Sequence, residues 1–357
     1  MILENLELRN FRGYEHLSLK FDKGLFVIEG TNGSGKTNLV EAIYCLSLAK
    51  SWRCQSFSTL IKEGNDVAYI SAYLLEENTA LRRHLEIFFK KEERRILINN
   101  KPVKKLTDLS KIVNILLFTP KDVSLYKGAP SLRREFLDVS ISKENEAYLA
   151  SISKYGKLLL ERNALLKDNK IDDVYLSTLD ESLAKEVALI APYRKKFLFE
   201  LEKVLNEIAP ELYGYNMNFK IIYKPFVVGE NIQSEAIKLF QKNREIDKAK
   251  KVTTNGIQRE DFSLLLNDKD IGLYGSQGEN RLAAIALKIA PYFLKRANKE
   301  MPIAVLDDVY SELDDKRSGN LSKILKTMGQ TFVTTTDIVI PGASYIEVHN
   351  HNATRRN

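Results

Sequence analysis

Apolar and polar residues alternate along Ile2–Leu8 and Leu17–Phe21, the two-residue period of strands with one buried face. Leu25–Ile28 breaks that rhythm, and its unbroken apolar run predicts a short strand covered on both sides. A glycine-rich turn follows. Beyond it Leu39, Ala42, Ile43 and Leu46 recur at helical spacing, so the predicted order is strand, loop, helix. Alternation returns in Val67–Leu75, Leu81–Phe89 and Arg94–Ile98, which reads as an antiparallel meander. From Pro130 to Pro210 the chain is rich in Leu, Lys and Glu, poor in glycine, and spaces Leu149, Ile152 and Leu159 as a helix does. Next come a strand over Asn218–Tyr223, a charged helix or loop over Gln241–Lys251, and a hairpin pairing Phe262–Leu266 with Ile271–Tyr274. The last hundred or so residues alternate helix with buried strands at Ile303–Leu306 and Thr331–Thr335, and the tail His349–Asn357 is expected to fray. Without internal repeats or low-complexity linkers, the pattern predicts an α/β head built from 1–120 and 277–357, with a mainly helical second lobe inserted at 121–276.

Composition narrows the class. The 357 residues are 44% hydrophobic and 28% charged, a globular balance that excludes fibrous, disordered and disulfide-scaffold proteins. No apolar run approaches the roughly 18 to 20 residues that cross a bilayer, and the opening MILENLELRNFRGYE carries acids where a secretion signal carries bases, so a cytoplasmic location is expected. Cys45 and Cys54 form no CxxC and lack nearby histidine ligands, which argues against structural zinc. Lys and Arg total 54 against 47 Asp and Glu, a net +7 that biases the surface toward polyanions without proving one.

Chemistry enters at Gly30-Thr31-Asn32-Gly33-Ser34-Gly35-Lys36-Thr37, which fits G-x-x-x-x-G-K-[ST] between a buried strand and an amphipathic helix. Such a loop turns its backbone N–H groups, backed by the helix dipole, toward phosphate oxygens. Lys36 is then expected to reach the β- and γ-phosphates of ATP, and the Thr37 hydroxyl to ligate Mg²⁺. The apolar strand Ile303–Leu306 delivers Asp307 and Asp308 at its carboxyl end, where α/β sheets bind ligands. Asp307 is expected in the metal shell, and Asp308 as the group that orients or deprotonates the attacking water. A third element, Ser276-Gln277-Gly278-Glu279, has capping-box spacing ahead of Leu282, Ile285 and Ile289, and Pro291 is expected to bend or close that helix early.

These three elements together resemble the ATP-binding-cassette ATPase head. Further segments resemble, within that group, the RecF family of bacterial recombination mediators, which is related to the SMC-type repair ATPases. They are Leu8-Arg9-Asn10-Phe11-Arg12-Gly13-Tyr14, Ser51-Trp52-Arg53, Phe118-Thr119-Pro120-Lys121-Asp122, the run from Gly128 to Asp138, and Leu306-Asp307-Asp308-Val309-Tyr310-Ser311-Glu312-Leu313-Asp314. The resemblance covers essentially the whole chain. It implies that Ser276, Gln277, Gly278 and Glu279 complete the site of a second copy, giving an ATP-dependent homodimer that slow, DNA-stimulated hydrolysis releases. It further implies a dimer-contact loop at Ser311, Glu312, Leu313 and Asp314, Asp122 near the metal or water, and Arg12 on phosphate, although Asp122 and Arg12 read equally as ordinary surface charges. As partners it implies DNA at single-strand gaps and junctions, the proteins RecO and RecR, and RecA loading as the outcome. Two departures stand out. Gly256-Ile257-Gln258-Arg259-Glu260-Asp261 lacks the proline and histidine usual in the family, and, unlike transporter cassettes, the chain has Asp308 in place of glutamate and no switch histidine in Thr334-Thr335-Thr336-Asp337, changes that fit the RecF family and imply weak hydrolysis.

The most basic stretch sets Arg82, Arg83, Lys90, Lys91, Arg94, Arg95, Lys101, Lys104 and Lys105 against Glu86, Glu92 and Glu93. On antiparallel strands part of this charge is expected to share a face and oppose DNA phosphates without reading bases, with Lys50, Arg53, Arg133 and Arg134 as further candidates. Two other readings compete: the ATP-driving subunit of a transporter, and a clamp that holds ATP as glue with negligible turnover.

Overall fold

The computed structural model describes the whole chain except residues 107, 108, 110, 111, 169, 297–300, 337 and 357. Two compact units emerge. The first comprises 1–123, 208–216 and 281–357, and the second 124–207 and 217–280.

The first unit contains two sheets. One is antiparallel throughout and is formed by β1 (Ile2–Phe11), β2 (Tyr14–Lys20), β4 (Ala68–Glu76), β5 (Leu81–Phe89), β6 (Arg94–Ile98) and β7 (Lys101–Pro102), in the order β2-β1-β4-β5-β6-β7. The other orders β15-β14-β3-β13-β12-β8, from β3 (Leu25–Glu29), β8 (Ile115–Phe118), β12 (Ile303–Leu306), β13 (Thr331–Thr335), β14 (Ser344–His349) and β15 (Asn352–Arg356). Its pairs are parallel apart from the β14–β15 hairpin. The helix Lys36–Leu48 follows β3, and its Leu39, Val40, Ile43 and Leu46 join one core with Leu6, Leu8, Ile70 and Ile87 of the antiparallel sheet and Phe26, Ile28, Val305 and Phe332 of the parallel one. The unbroken apolar runs of β3 and β12 are thus explained by burial on both faces. Near their amino ends Phe21, Phe26 and Phe332 cluster with ring centroids 5.0 to 5.3 Å apart.

The structure corrects the sequence pattern in three places. The tail does not fray, because Asn352–Arg356 pairs with Ser344–His349 as a hairpin. Ile271–Tyr274 is a short helix capped by the Asp270 side chain, and β10 (Asp261–Leu266) pairs instead with β9 (Phe219–Lys224) and the two-residue β11 (Lys269–Asp270). The helix Gln277–Arg296 runs through Pro291 without closing there. Among the described residues no helix is long and apolar enough to cross a membrane.

The second unit holds the helices Pro130–Ser142 and Glu146–Leu165, the long helix Asp173–Tyr213 as far as Glu207, the helix Ile232–Lys250 and the sheet β11-β10-β9. Pro130 starts its helix at a position where a missing N–H costs nothing, and Asn145 and Asn231 cap theirs by accepting from Tyr148 N and Ser234 N. The charged stretch Gln241–Lys251 is the end of the Ile232–Lys250 helix and its left-handed cap Lys251, and Asp247 turns inward. There the fully buried Arg162 donates to Asp180 at 2.7 Å, and to Asp247 and Thr253 at 2.8 Å each. A second buried arginine, Arg194, pairs with Glu260 at 2.5 Å and Asp138 at 2.8 Å. Removing one partner of such a network leaves an uncompensated buried charge. Arg162→Leu is therefore expected to lower stability by about 3–5 kcal/mol, read as a fall in the urea midpoint.

Candidate nucleotide-binding site

The chain leaves β3 at Gly30 and enters the helix at Lys36. Gly30 (φ +152) and Gly35 (φ +117) both adopt backbone angles that favour glycine. Space forbids side chains there as well. A Cβ on Gly30 would strike the Val348 carbonyl, and one on Gly35 would lie 2.7 Å from His351 Nδ1 and 3.1 Å from the Tyr14 hydroxyl. Lys36 Nζ donates to the carbonyls of Gly30 at 2.5 Å and Thr31 at 2.9 Å. Burial pushes its ammonium below the usual lysine range, and the charges of Asp308 and Asp307 pull it back up.

Asp307 is the convergence point. It is buried, and its Oδ1 accepts from Thr37 Oγ1 at 3.0 Å and from Thr334 Oγ1 at 2.8 Å. Burial raises its carboxyl above the ordinary aspartate value, both hydroxyls lower it, and the Asp308 charge raises it further. Asp308 is exposed, holds φ +50, and donates its backbone N–H to the same Thr334 hydroxyl at 2.7 Å. Hydroxyl and carboxylate oxygens side by side suit a hard divalent cation, and the buried Ser34 Oγ has no hydrogen-bond partner among the described residues. Among those residues no group of three or more His, Cys, Asp or Glu is placed to hold a metal. A cation at Thr37 and Asp307 would therefore share its remaining sites with water and ligand oxygens.

Other expected residues have the following partners. Arg12, expected on phosphate, is held by Glu41, with Nε at 2.9 Å and Nη2 at 2.7 Å, and also donates to the Thr59 carbonyl. Asp122, expected near the metal, accepts from Thr119 N at 2.7 Å and pairs with Lys288 at 3.0 Å. The Ser276 motif is the capping box its spacing predicts. Ser276 N donates to Glu279 Oε2 at 2.9 Å, Glu279 N donates back to Ser276 Oγ at 3.3 Å, and Ser276 and Gln277 stay exposed. In the Ser311–Asp314 loop, Glu312 has φ +66 and Asp314 caps the helix Asp315–Thr327 through Arg317 N. Asp337 lies outside the described residues.

Four functional positions escaped the sequence reading. Glu41 is a fully buried acid on the helix after the loop, where it collects Arg12, Ser51 and Arg53; an acid flanked by Val40 and Ala42 was the available signal. Thr334 bridges both aspartates. Arg281 donates to the Asp308 carbonyl at 2.5 Å and the Ser311 hydroxyl at 2.6 Å. His351 packs against the loop from the tail. In the departing 256–261 stretch, Gln258 bonds the Tyr155 hydroxyl and donates to the Asn255 carbonyl at 3.0 Å.

Several cations of the basic stretch have partners within the chain. Arg82 pairs with Glu4, Arg83 with Glu76 and Lys90 with Glu93, while Arg94 donates to the Ala49 carbonyl. Lys50, Lys91, Arg95, Lys101, Lys104 and Lys105 are exposed and form no ion pair among the described residues. Arg53 is tied to Asn38 and Glu41, Arg134 to the Glu260 carbonyl, and Arg133 is buried against Asp261 at 2.7 Å.

A phosphate loop after one strand of a parallel sheet, two aspartates after the next strand but one, and an antiparallel sheet in the same unit define an ATPase head of the ABC and SMC type. The family model for the RecF/RecN/SMC N-terminal domain matches residues 2–344. The DNA replication and repair protein RecF of Alkaliphilus oremlandii is 38% identical over 344 residues, covering 94% of this chain and 93% of its own length. Its counterpart in Bacillus cereus is 35% identical over 349 residues, covering 95% and 92%. A solved structure of the recombination mediator protein RecF with ATP, of the RecFOR pathway, superposes with a TM-score of 0.88 at 31% identity over 99% of both chains. The Smc head domain of Pyrococcus furiosus shares the fold, with a TM-score of 0.62 at 17% identity. The chain belongs to the RecF family, which sets aside the transporter-subunit reading.

A methyl group at Gly35 meets both an unfavourable φ and the His351 ring. With about 1–3 kcal/mol of strain, Gly35→Ala is expected to weaken nucleotide binding roughly ten- to hundredfold in a fluorescent-nucleotide titration.

Proposed function

We propose that the chain is an ATP-dependent DNA-binding ATPase of recombinational and replication-gap repair; its relatives are named DNA replication and repair proteins, and one solved relative a recombination mediator with ATP. One observation carries the nucleotide part: the Thr37 and Thr334 hydroxyls converge on Asp307 beside the phosphate loop. Lys36 exchanges its carbonyl partners for the β- and γ-phosphate oxygens, a stronger charge-assisted pairing. Thr37 and Asp307 hold the cation, and Mg²⁺ when bound supplies charge neutralisation between the phosphates. Asp308, exposed and fixed by Thr334 and Arg281, orients the attacking water and takes its proton.

The Ser276–Glu279 cap would complete the pocket of a second copy, its remaining first-turn N–H groups meeting the γ-phosphate, with the Ser311–Asp314 loop at the same contact. ATP then acts as the glue of a two-fold dimer, and hydrolysis, slow and stimulated by DNA, releases it. The exposed cations Lys50, Lys91, Arg95, Lys101, Lys104 and Lys105 support sequence-independent binding to DNA phosphates, and dimerisation doubles the contacts. In this reading the chain works at single-strand gaps and junctions with RecO and RecR to help load RecA, in the cytoplasm.

Sedimentation of the purified chain without nucleotide, with ADP and with ATP, each with and without duplex DNA, tests the scheme. Growth in size with ATP alone is expected, and a nucleotide-independent monomer would remove the shared site. Asp308→Asn is expected to cut turnover at least about a hundredfold while retaining ATP-linked dimers. An unchanged, negligible turnover would instead favour the ATP-bound clamp.

A further inference from the structure

The hairpin of β14 and β15 reaches the phosphate loop at both of its ends. Its turn residues Asn350 and His351 are left-handed, with φ +45 and +58, a conformation that Asn and His tolerate better than most side chains. The His351 backbone N–H donates to the Ser34 carbonyl at 2.8 Å. Its imidazole lies between two glycines, Gly13 in the turn from β1 to β2 and Gly35 at the helix start, and a Cβ on either would collide with it. The ring meets Tyr14 edge-on at 5.8 Å, and the Tyr14 hydroxyl donates to the Gly35 carbonyl at 3.1 Å. Three residues earlier the Val348 carbonyl closes the space beside Gly30. The loop is therefore braced from behind by segments from the two ends of the chain. His351 Nδ1 is buried without a hydrogen-bond partner among the described residues, so the ring acts here through its shape and packing.

We propose that His351 is a positioning residue for the phosphate loop. It touches no phosphate. By fixing the Ser34 carbonyl and walling off Gly35, it holds the loop in the open curve from which backbone N–H groups converge on a nucleotide. Preorganisation of this kind removes an ordering cost at the moment of binding. The inference rests on the reading that this loop binds ATP. Because ATP and ADP share the phosphates such a loop cradles, loss of the brace weakens both, and it acts on binding more than on the chemical step.

Calorimetric titration of the full chain with Mg-ATP and with Mg-ADP tests this, alongside steady-state hydrolysis. His351→Asn keeps the left-handed turn and its N–H but removes the ring, and His351→Phe keeps a ring of similar reach. For His351→Asn the Kd of both nucleotides is expected to rise about tenfold, with KM rising in step and kcat within about twofold of wild type. His351→Phe should recover most of the affinity, and the melting temperature without nucleotide should hardly move in either variant. Unchanged affinity in His351→Asn, a loss confined to ATP, or a fall in kcat matching the rise in Kd would each overturn the role. If His351→Asn does not fold, hydrogen exchange in the wild type decides. ATP should slow exchange in residues 344–356 together with 30–37, and an unresponsive hairpin would refute the brace. A wild-type chain that binds no Mg-ATP would sink the nucleotide reading and this inference with it, whereas binding by wild type and His351→Asn alike defeats the brace alone.

Discussion

The nucleotide site depends on a buried carboxylate satisfied from two directions. Asp307 directly follows β12, where burial would make an unpartnered acid costly. Thr37 reaches it from the first turn of the helix after β3, and Thr334 from β13. The parallel register makes this possible, because Leu306 pairs with Val333 and Thr334 with Ile28, which brings the ends of three strands to one level. A one-residue slip of β13 would turn the Thr334 hydroxyl to the opposite face and leave the acid with Thr37 alone. Sheet register and site chemistry are therefore the same constraint here.

That constraint also explains the backbone at Asp308. Its φ of +50 is unfavourable for an aspartate, yet its N–H is held by Thr334 and its carbonyl by Arg281. The side chain consequently projects into solvent while its neighbour is buried, and two adjacent acids acquire different surroundings. Such a split is what a site needs when one carboxylate is to hold a cation and the next is to meet water.

Much of this was legible in the sequence. The phosphate loop, the strand ending in two aspartates and the capping box each join a special residue pattern to an unmistakable flank, apolar strand or helical stripe, and the structure forms all three local geometries. What escaped has a common cause. His351, Thr334 and Glu41 matter through partners distant in sequence or through burial that no local pattern announces: His351 meets Ser34, Thr334 meets Asp307, and Glu41 meets Arg12. The tail looked frayed because polar residues crowd it, yet β14 adds to β3 in parallel and brings the turn onto the loop. Likewise Ile271–Tyr274 has strand-like residues, but the Asp270 side chain accepts from Gly272 N and starts a helical turn.

Charge shows the same limit. A net of +7 treats every cation alike, but the protein does not. Arg133, Arg162 and Arg194 are buried, where the planar guanidinium satisfies two carboxylate oxygens or several partners at once, as in the paired contacts of Arg133 with both Asp261 oxygens at 2.7 and 2.9 Å. Among the candidate DNA-contacting cations, the exposed ones without ion pairs among the described residues are five lysines, Lys50, Lys91, Lys101, Lys104 and Lys105, and one arginine, Arg95. A lysine ammonium is a compact, strongly hydrated point charge on a flexible stem. It suits phosphate attraction at variable geometry and is poorly suited to reading base edges through a rigid fork. The exposed lysines among the candidates therefore match the proposed contact with a polyanion through its backbone charge, a contact whose affinity falls steeply as salt rises.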